Sequence, residues 1–194
     1  MERILDATER LLKKRPFREI AVAEIAQEAK AAPTSLYARF ESKQAILGAL
    51  FERHALAQRK LIEELTDPAR WEDVPLAIVL RRALPFIVAV YQEKQGLIRA
   101  FLEQATDDSR FREDWAAVGD FIAERVKTLV LRRAQEVAHP NPSRGIEHCM
   151  EAIFGILAVR ILMHGIDHVD GENLTEELVV MLLRYMGIND SRDH

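Results

Sequence analysis

Cysteine is almost absent from this 194-residue chain: Cys149 stands alone. No intrachain disulfide can form, and a reducing, cytoplasmic setting is expected. Glycine (8) and proline (7) are sparse, which argues against long irregular or all-β architectures. No apolar run approaches the ~20 residues that span a bilayer, so no membrane association is expected. The chain opens directly in a polar, amphipathic pattern, without the apolar core of a signal peptide. Repeats and low-complexity tracts are missing. So are a nucleophile–base constellation, a glycine-rich phosphate loop and a Cys-x-x-Cys pair, so neither an enzyme nor a cofactor is expected. What is present is 48% hydrophobic and 30% charged residues, the balance of a soluble globular protein with one or two modest domains.

The most informative stretch is Ala21 to Phe40. Val22, Ile25, Ala26 and Ala29 follow the i, i+3, i+4, i+7 spacing of an amphipathic helix. Three small or polar residues and then Pro33 separate it from a second helix, and proline suits a first helical position because its missing N–H would be unpaired there. Leu36 and Phe40 form that helix's apolar side, while Thr34, Ser35, Tyr37, Ala38 and Arg39 occupy the other. Hydroxyls, a phenol and a guanidinium on an exposed helix match the base edges and phosphates of a DNA major groove. The pattern predicts a helix-turn-helix whose second helix enters that groove.

Residues from about Arg3 to Phe51 resemble the DNA-binding domain of the TetR/AcrR family of bacterial transcriptional regulators. The resemblance rests on Ile4-Leu5-Asp6-Ala7, Phe17, Glu24-Ile25-Ala26, Ala29, Leu36-Tyr37-x-x-Phe40-x-Ser42-Lys43 and Ile46-Leu47. Lys30, Ala32 and Ala21 depart from it, standing where the family usually has glycine and two hydroxyl residues. A non-glycine residue at positive φ costs about 1 kcal/mol, and an alanine at an N-cap forfeits about as much. The resemblance implies an all-α protein of about nine helices: a helix-turn-helix domain at 1–50 and an effector-binding and dimerisation domain at 51–194. It implies a homodimer on a double-stranded DNA operator, and a small-molecule effector of unknown identity.

The net charge of −4 is unevenly spread, since residues 1–50 carry nine Lys/Arg against seven Asp/Glu. A focused basic site fits this balance; non-specific coating of DNA does not. Ser42 is a good N-cap for a helix from Lys43 to about Leu65, roughly 35 Å long. Its N-terminal N–H groups and Lys43 suit a DNA phosphate, so Lys43 joins Thr34, Ser35, Tyr37, Ala38 and Arg39 as DNA-binding candidates. The Lys13-Lys14-Arg15 cluster reads as a solvated helix end, with direct DNA contact as the alternative.

Further helices are expected over about Pro75–Glu93, with Asp73 as its cap and Pro85 inside, and over Leu97–Gln104, Phe111–Val137, Arg144–Met163 and Thr175–Met186. The first is apolar nearly all round, which fits either the wall of a cavity or ordinary packing. Phe86, Tyr91, Phe101, Phe121 and Phe154 are the side chains chosen for an effector pocket, and each also fits a plain core. The last two helices resemble the family's dimerisation pair, with Ile153, Leu157, Ile161, Leu178, Leu182 and Tyr185 as interface candidates; the alternative is an intrachain hairpin. His164 and His168, with Asp167 and Asp170, have metal-compatible spacing. A histidine near a helix end needs no metal, and none is expected. The reading is a ligand-responsive repressor released by a small hydrophobic effector. The rival is a dimeric helical interaction protein whose head no longer binds DNA specifically.

Overall fold

The computed structural model describes residues 1–164 and 171–190. Among them are nine α-helices and three 3-10 turns, with no strand beyond an isolated bridge between Val137 and Ile188. The chain divides into two compact units, Met1–Ala57 with Lys94–Trp115, and Gln58–Glu93 with the chain from Ala116 onward.

The first unit contains α1 (Glu2–Leu12), a 3-10 turn (Phe17–Glu19), α2 (Val22–Glu28), α3 (Pro33–Tyr37), the first part of α4 (Lys43–Leu65), α6 (Gln95–Asp107) and the start of α7 (Ser109–Leu131). Leu5, Leu12, Ile25, Leu36, Ile46, Leu47 and Leu50 are fully buried in it. Each contributes about 2 kcal/mol from apolar surface withdrawn from water. Thr8 is tolerated in this core because its hydroxyl donates to the Ile4 carbonyl at 2.8 Å. Phe51, Phe101, Phe111 and Trp115 form an aromatic cluster, with the Phe51 and Phe101 rings edge-to-face at 5.5 Å. Helix α6 starts two residues earlier than its periodicity predicts and runs through Gly96. That glycine is a close contact: a Cβ there would lie 2.0 Å from the Leu12 carbonyl oxygen of α1.

Charges join α1, α4 and α6. Arg53 donates to Glu2 (2.8 Å), Asp6 (2.7 Å) and Glu9 (2.6 Å), and Lys94 to Glu9 (3.0 Å). Burial pushes the Glu9 carboxyl upward, but Lys94 and Arg53 outweigh it and hold it below its ordinary range. His54 is only 9% exposed, stacked on Trp115 and tilted against Phe101. Burial, with some help from Lys94, lowers its pKa to about 4, so it sits in the core uncharged.

In the second unit, α5 (Leu76–Glu93) packs on α9 (Gly171–Met186), which also packs on α8 (Pro142–His164). A 3-10 turn at Pro68–Trp71 follows α4, with Asp67 accepting from the Ala69 N–H at 3.0 Å. Trp71 packs on Val79 and Leu129 and donates its indole N–H to the Leu65 carbonyl at 2.7 Å. Asp73 does not cap α5; the first N–H of that helix, on Leu76, is taken by the Glu136 carboxylate at 2.7 Å. Helix α7 stops at Leu131 rather than Val137, and the chain turns through a third 3-10 segment at Ala134–Glu136 that carries Glu136. Asn141 caps α8 through the Arg144 N–H at 3.1 Å. Gly187, at φ 62°, ends α9, and Arg81 binds both Glu176 within that helix and Asp190 beyond Gly187.

Candidate nucleic-acid interface

The helix-turn-helix is built as its apolar spacing predicts. Leu36 and Phe40 point inward. Thr34 and Tyr37 lie exposed on the opposite side of α3, with Ser35 partly buried beside them and Ala38 and Arg39 exposed in the turn that ends the helix. Tyr37 is 60% exposed, a high value for an aromatic side chain.

Two of the three departures from the family pattern, Ala21 and Lys30, are met by other residues. Ala21 lacks a capping hydroxyl, but Glu24 reaches back to its N–H at 2.8 Å, one half of a capping box. That N–H and the Arg15 guanidinium, 2.6 Å away, hold the Glu24 carboxyl below its ordinary range. Lys30 adopts φ 51°, the left-handed conformation that glycine would take freely. The Ala31 N–H still closes onto the Ala26 carbonyl at 2.9 Å, and Arg3 donates to the carbonyls of Ala29 (2.9 Å) and Lys30 (3.2 Å). Ala32 has no side chain to cap α3, and Pro33 occupies the first helical position, where no N–H needs a partner.

Arg39 lies back along α3, donating to the Ser35 hydroxyl at 2.6 Å and to the Ser35 carbonyl at 3.2 Å. Ser42 caps α4 by accepting from the Ala45 N–H at 3.1 Å. Lys43, at the start of that helix, is partly buried, with its ammonium 4.5 Å from the Phe17 ring centroid and 3.3 Å from the Arg18 carbonyl. Burial lowers its pKa and Glu24 pulls it back up. Thr34, Tyr37 and Arg39 thus offer polar groups to solvent around α3, and Lys43 stands at the Ser42-capped start of α4, a set of groups suited to base edges and a phosphate.

The residues chosen for an effector pocket fall in both units, Phe101 in the first and Phe86, Tyr91, Phe121 and Phe154 in the second. Phe101 is fully buried in the first unit's aromatic cluster, and Phe86 is 47% exposed. Phe121 lies under the Arg59 guanidinium at 4.6 Å. Tyr91 and Phe154 do meet, stacked at 6.3 Å, and burial raises the pKa of the Tyr91 phenol. Next to Tyr91 in sequence, Gln92 has a buried amide nitrogen with no acceptor among the described residues.

The chosen interface residues separate as well. Ile153, Leu157, Ile161, Leu178 and Leu182 are buried within the chain, and Tyr185 is half exposed. Helix α8 is apolar on both sides, and the side its sequence neighbours leave uncovered carries Ala152, Gly155, Val159, Leu162 and Met163. Val159 is 53% and Met163 74% exposed. The 3.6-residue period separates these from Ile153 and Leu157, but it does not say which set turns inward. A shallow hollow of about 290 Å³ beside them is lined by His148, Cys149, Ala152, Met181 and Tyr185. Cys149 is buried and its thiol is pushed up to about 11 by that burial, so it is unreactive at neutral pH. Asp167, His168 and Asp170, and the His164 side chain, lie outside the described residues. Among the described residues, no three His, Cys, Asp or Glu side chains come together as metal ligands, and no helix is long and apolar enough to cross a membrane.

Comparison with known proteins places these observations in a class. The model for bacterial regulatory proteins of the tetR family matches residues 4–50, and that for the tetracyclin repressor-like C-terminal domain matches residues 75–186. The chain belongs to the TetR family of transcriptional regulators, whose members are DNA-binding regulators rather than enzymes. Solved structures share its fold at low identity. A protein from Mesorhizobium loti described as a TetR-family transcriptional regulator is 16% identical, with a TM-score of 0.77 over 96% of this chain and 94% of its own. PfmR, a TetR-family regulator from Thermus thermophilus, is 17% identical with a TM-score of 0.72 over 93% and 97%. SmeT, the repressor of the Stenotrophomonas maltophilia multidrug efflux pump SmeDEF, is 18% identical with a TM-score of 0.69 over 97% and 90%. No curated protein matches the chain.

Proposed function

We propose that this protein is a ligand-responsive transcriptional repressor that binds a near-palindromic operator as a homodimer and is released by a small hydrophobic effector. The observation that carries the DNA-binding half is the exposed face of α3, backed by buried Leu36 and Phe40, with Lys43 at the capped start of α4. The retained geometry at Ala21 and Lys30 favours this reading over a head that has lost DNA binding. Residues 1–50 hold the operator, with Thr34, Ser35, Tyr37, Ala38 and Arg39 at the groove and Lys43 at a phosphate; residues 51–194 take the effector and the second subunit.

The dimer reading is supported by the uncovered apolar side of α8, where Ala152 and Gly155 permit close helix approach and Val159, Leu162 and Met163 lose water on contact. Two heads related by a two-fold axis then reach half-sites one helical turn, about 34 Å, or a multiple apart. The effector reading is supported by the Tyr91–Phe154 aromatic pair in the second unit and by Gln92 of the same helix as Tyr91, whose buried amide nitrogen has no acceptor among the described residues. Release needs an effector with higher affinity for the DNA-free state, and its effect is bounded by that difference.

Selection of bound duplexes from a randomised library at near-physiological salt tests this function. The expected result is an inverted repeat with fixed half-site spacing and log K falling against log salt at about −0.9 per phosphate contact. A folded dimer that enriches no sequence would overturn it. On the selected operator, Arg39→Ala is expected to cost about 1–3 kcal/mol at one base position. An equal loss on every duplex would reassign that guanidinium to a phosphate.

A further inference from the structure

The turn between α2 and α3 is made with a lysine where left-handed backbone is required, and α1 supplies what that choice lacks. Lys30 at φ 51° has a Cβ that crowds its own carbonyl, and an L-residue gives up about fivefold or more in population to stay there. The end of α2 also leaves backbone carbonyls without helical N–H partners. Three successive ones are met by arginines of α1. Arg10 reaches the Glu28 carbonyl at 3.4 Å while its Nε pairs with the Glu28 carboxylate at 2.7 Å. Arg3 Nη2 sits between the carbonyls of Ala29, at 2.9 Å, and Lys30, at 3.2 Å. The Ala29 side is the buried one, since Ala29 itself is a core residue. A cation at a helix C-terminus is favourable in its own right, and here it also bonds the very peptide whose conformation is strained.

We infer that Arg3 is a positioning residue for the recognition helix, its guanidinium holding the Ala29 and Lys30 carbonyls so that the lysine-built turn presents α3 to DNA at the required angle. The inference rests on the DNA-binding reading above but concerns a residue of α1 that faces the turn rather than the groove. Because glycine takes positive φ without cost, Arg3 matters in the presence of Lys30 and matters little once residue 30 is glycine.

The test is a double-mutant cycle of Arg3→Ala and Lys30→Gly in the full chain, read on the duplex obtained by selection and by amide exchange without DNA. Arg3→Ala alone is expected to weaken operator binding about five- to tenfold, with the slope of log K against log salt unchanged. In the Lys30→Gly background the same substitution is expected to cost less than twofold. Without DNA, the amides of Ala31, Ser35 and Leu36 are expected to exchange faster in Arg3→Ala and to recover in the double variant. Equal losses in both backgrounds, or no loss in either, would overturn the inference. A salt slope shallower by about one would also do so, by making Arg3 a phosphate contact. If no duplex is selected at all, the functional reading fails while amide exchange still decides the role of Arg3.

Discussion

Replacing Gly96 by alanine sets two effects of opposite sign against each other. Gly96 lies in the first turn of α6, where alanine is the better helix former by about 1 kcal/mol. Propensity alone therefore makes Gly96→Ala stabilising. The packing says otherwise. The added Cβ would lie 2.0 Å from the Leu12 carbonyl oxygen and 2.7 Å from its carbon, and both atoms are backbone with no rotamer to yield. Restoring ordinary separation requires α6 and α1 to part by roughly 1.5 Å. Ile98 and Leu12, both fully buried there, would lose contact, and the 3.0 Å Lys94–Glu9 ion pair would stretch. Overpacking of this kind costs about 1–3 kcal/mol, and with more than one backbone atom in the way the upper half of that range applies. Net destabilisation of about 1–2 kcal/mol follows, or a fall in Tm of roughly 2–8 °C for a chain of this size. Urea unfolding of the two proteins, with the m-value monitored so that a change in midpoint can be read as stability, measures it. A Gly96→Ala protein as stable as the parent, or more so, would refute the close approach of α1 and α6 at Leu12 and Gly96.

Three further outcomes are expected. Between pH 6.5 and 4 the unfolded chain protonates its histidine while folded His54, with a pKa lowered to about 4, does not, so stability falls as pH falls through that window by up to about 3 kcal/mol. His54→Gln should flatten that step in acid titrations followed by unfolding, and an unchanged slope would remove His54 as its source. Arg81 has a side chain only 8% exposed and serves both Glu176 and Asp190, so Arg81→Ala should destabilise the chain by about 2 kcal/mol in denaturant titrations. A change below a few tenths would mean these carboxylates are held by other groups. Val159→Asp should give a folded monomer by sedimentation, because Val159 touches little within its own chain, whereas a charge at buried Ile153 should unfold the protein. A Val159→Asp protein that stays dimeric would move the subunit contact off this side of α8.

Local chemistry was readable from the chain alone. Ser42 as a cap, Pro33 at a first turn, the Leu36–Phe40 spacing and the span of α4 from Lys43 to Leu65 all follow from interactions within about four residues. The same reasoning placed Thr34, Tyr37, Ala38 and Arg39 away from the apolar side of α3, and all four are exposed. What could not be read depends on which elements meet. Glu136 caps α5 from sixty residues away, and Arg3 reaches Lys30 across twenty-seven. Gly96 looks like a break until Leu12 is brought against it. Helix α8 has apolar residues on more than one side, so its pattern carries no instruction about which of them turns inward; α9 packs on it, and in the fold Ile153 and Leu157 are buried while Val159 is half exposed. Backbone preference and capping act over a single turn and are written residue by residue. Burial is a property of the neighbour, and the neighbour is chosen only when the whole chain folds.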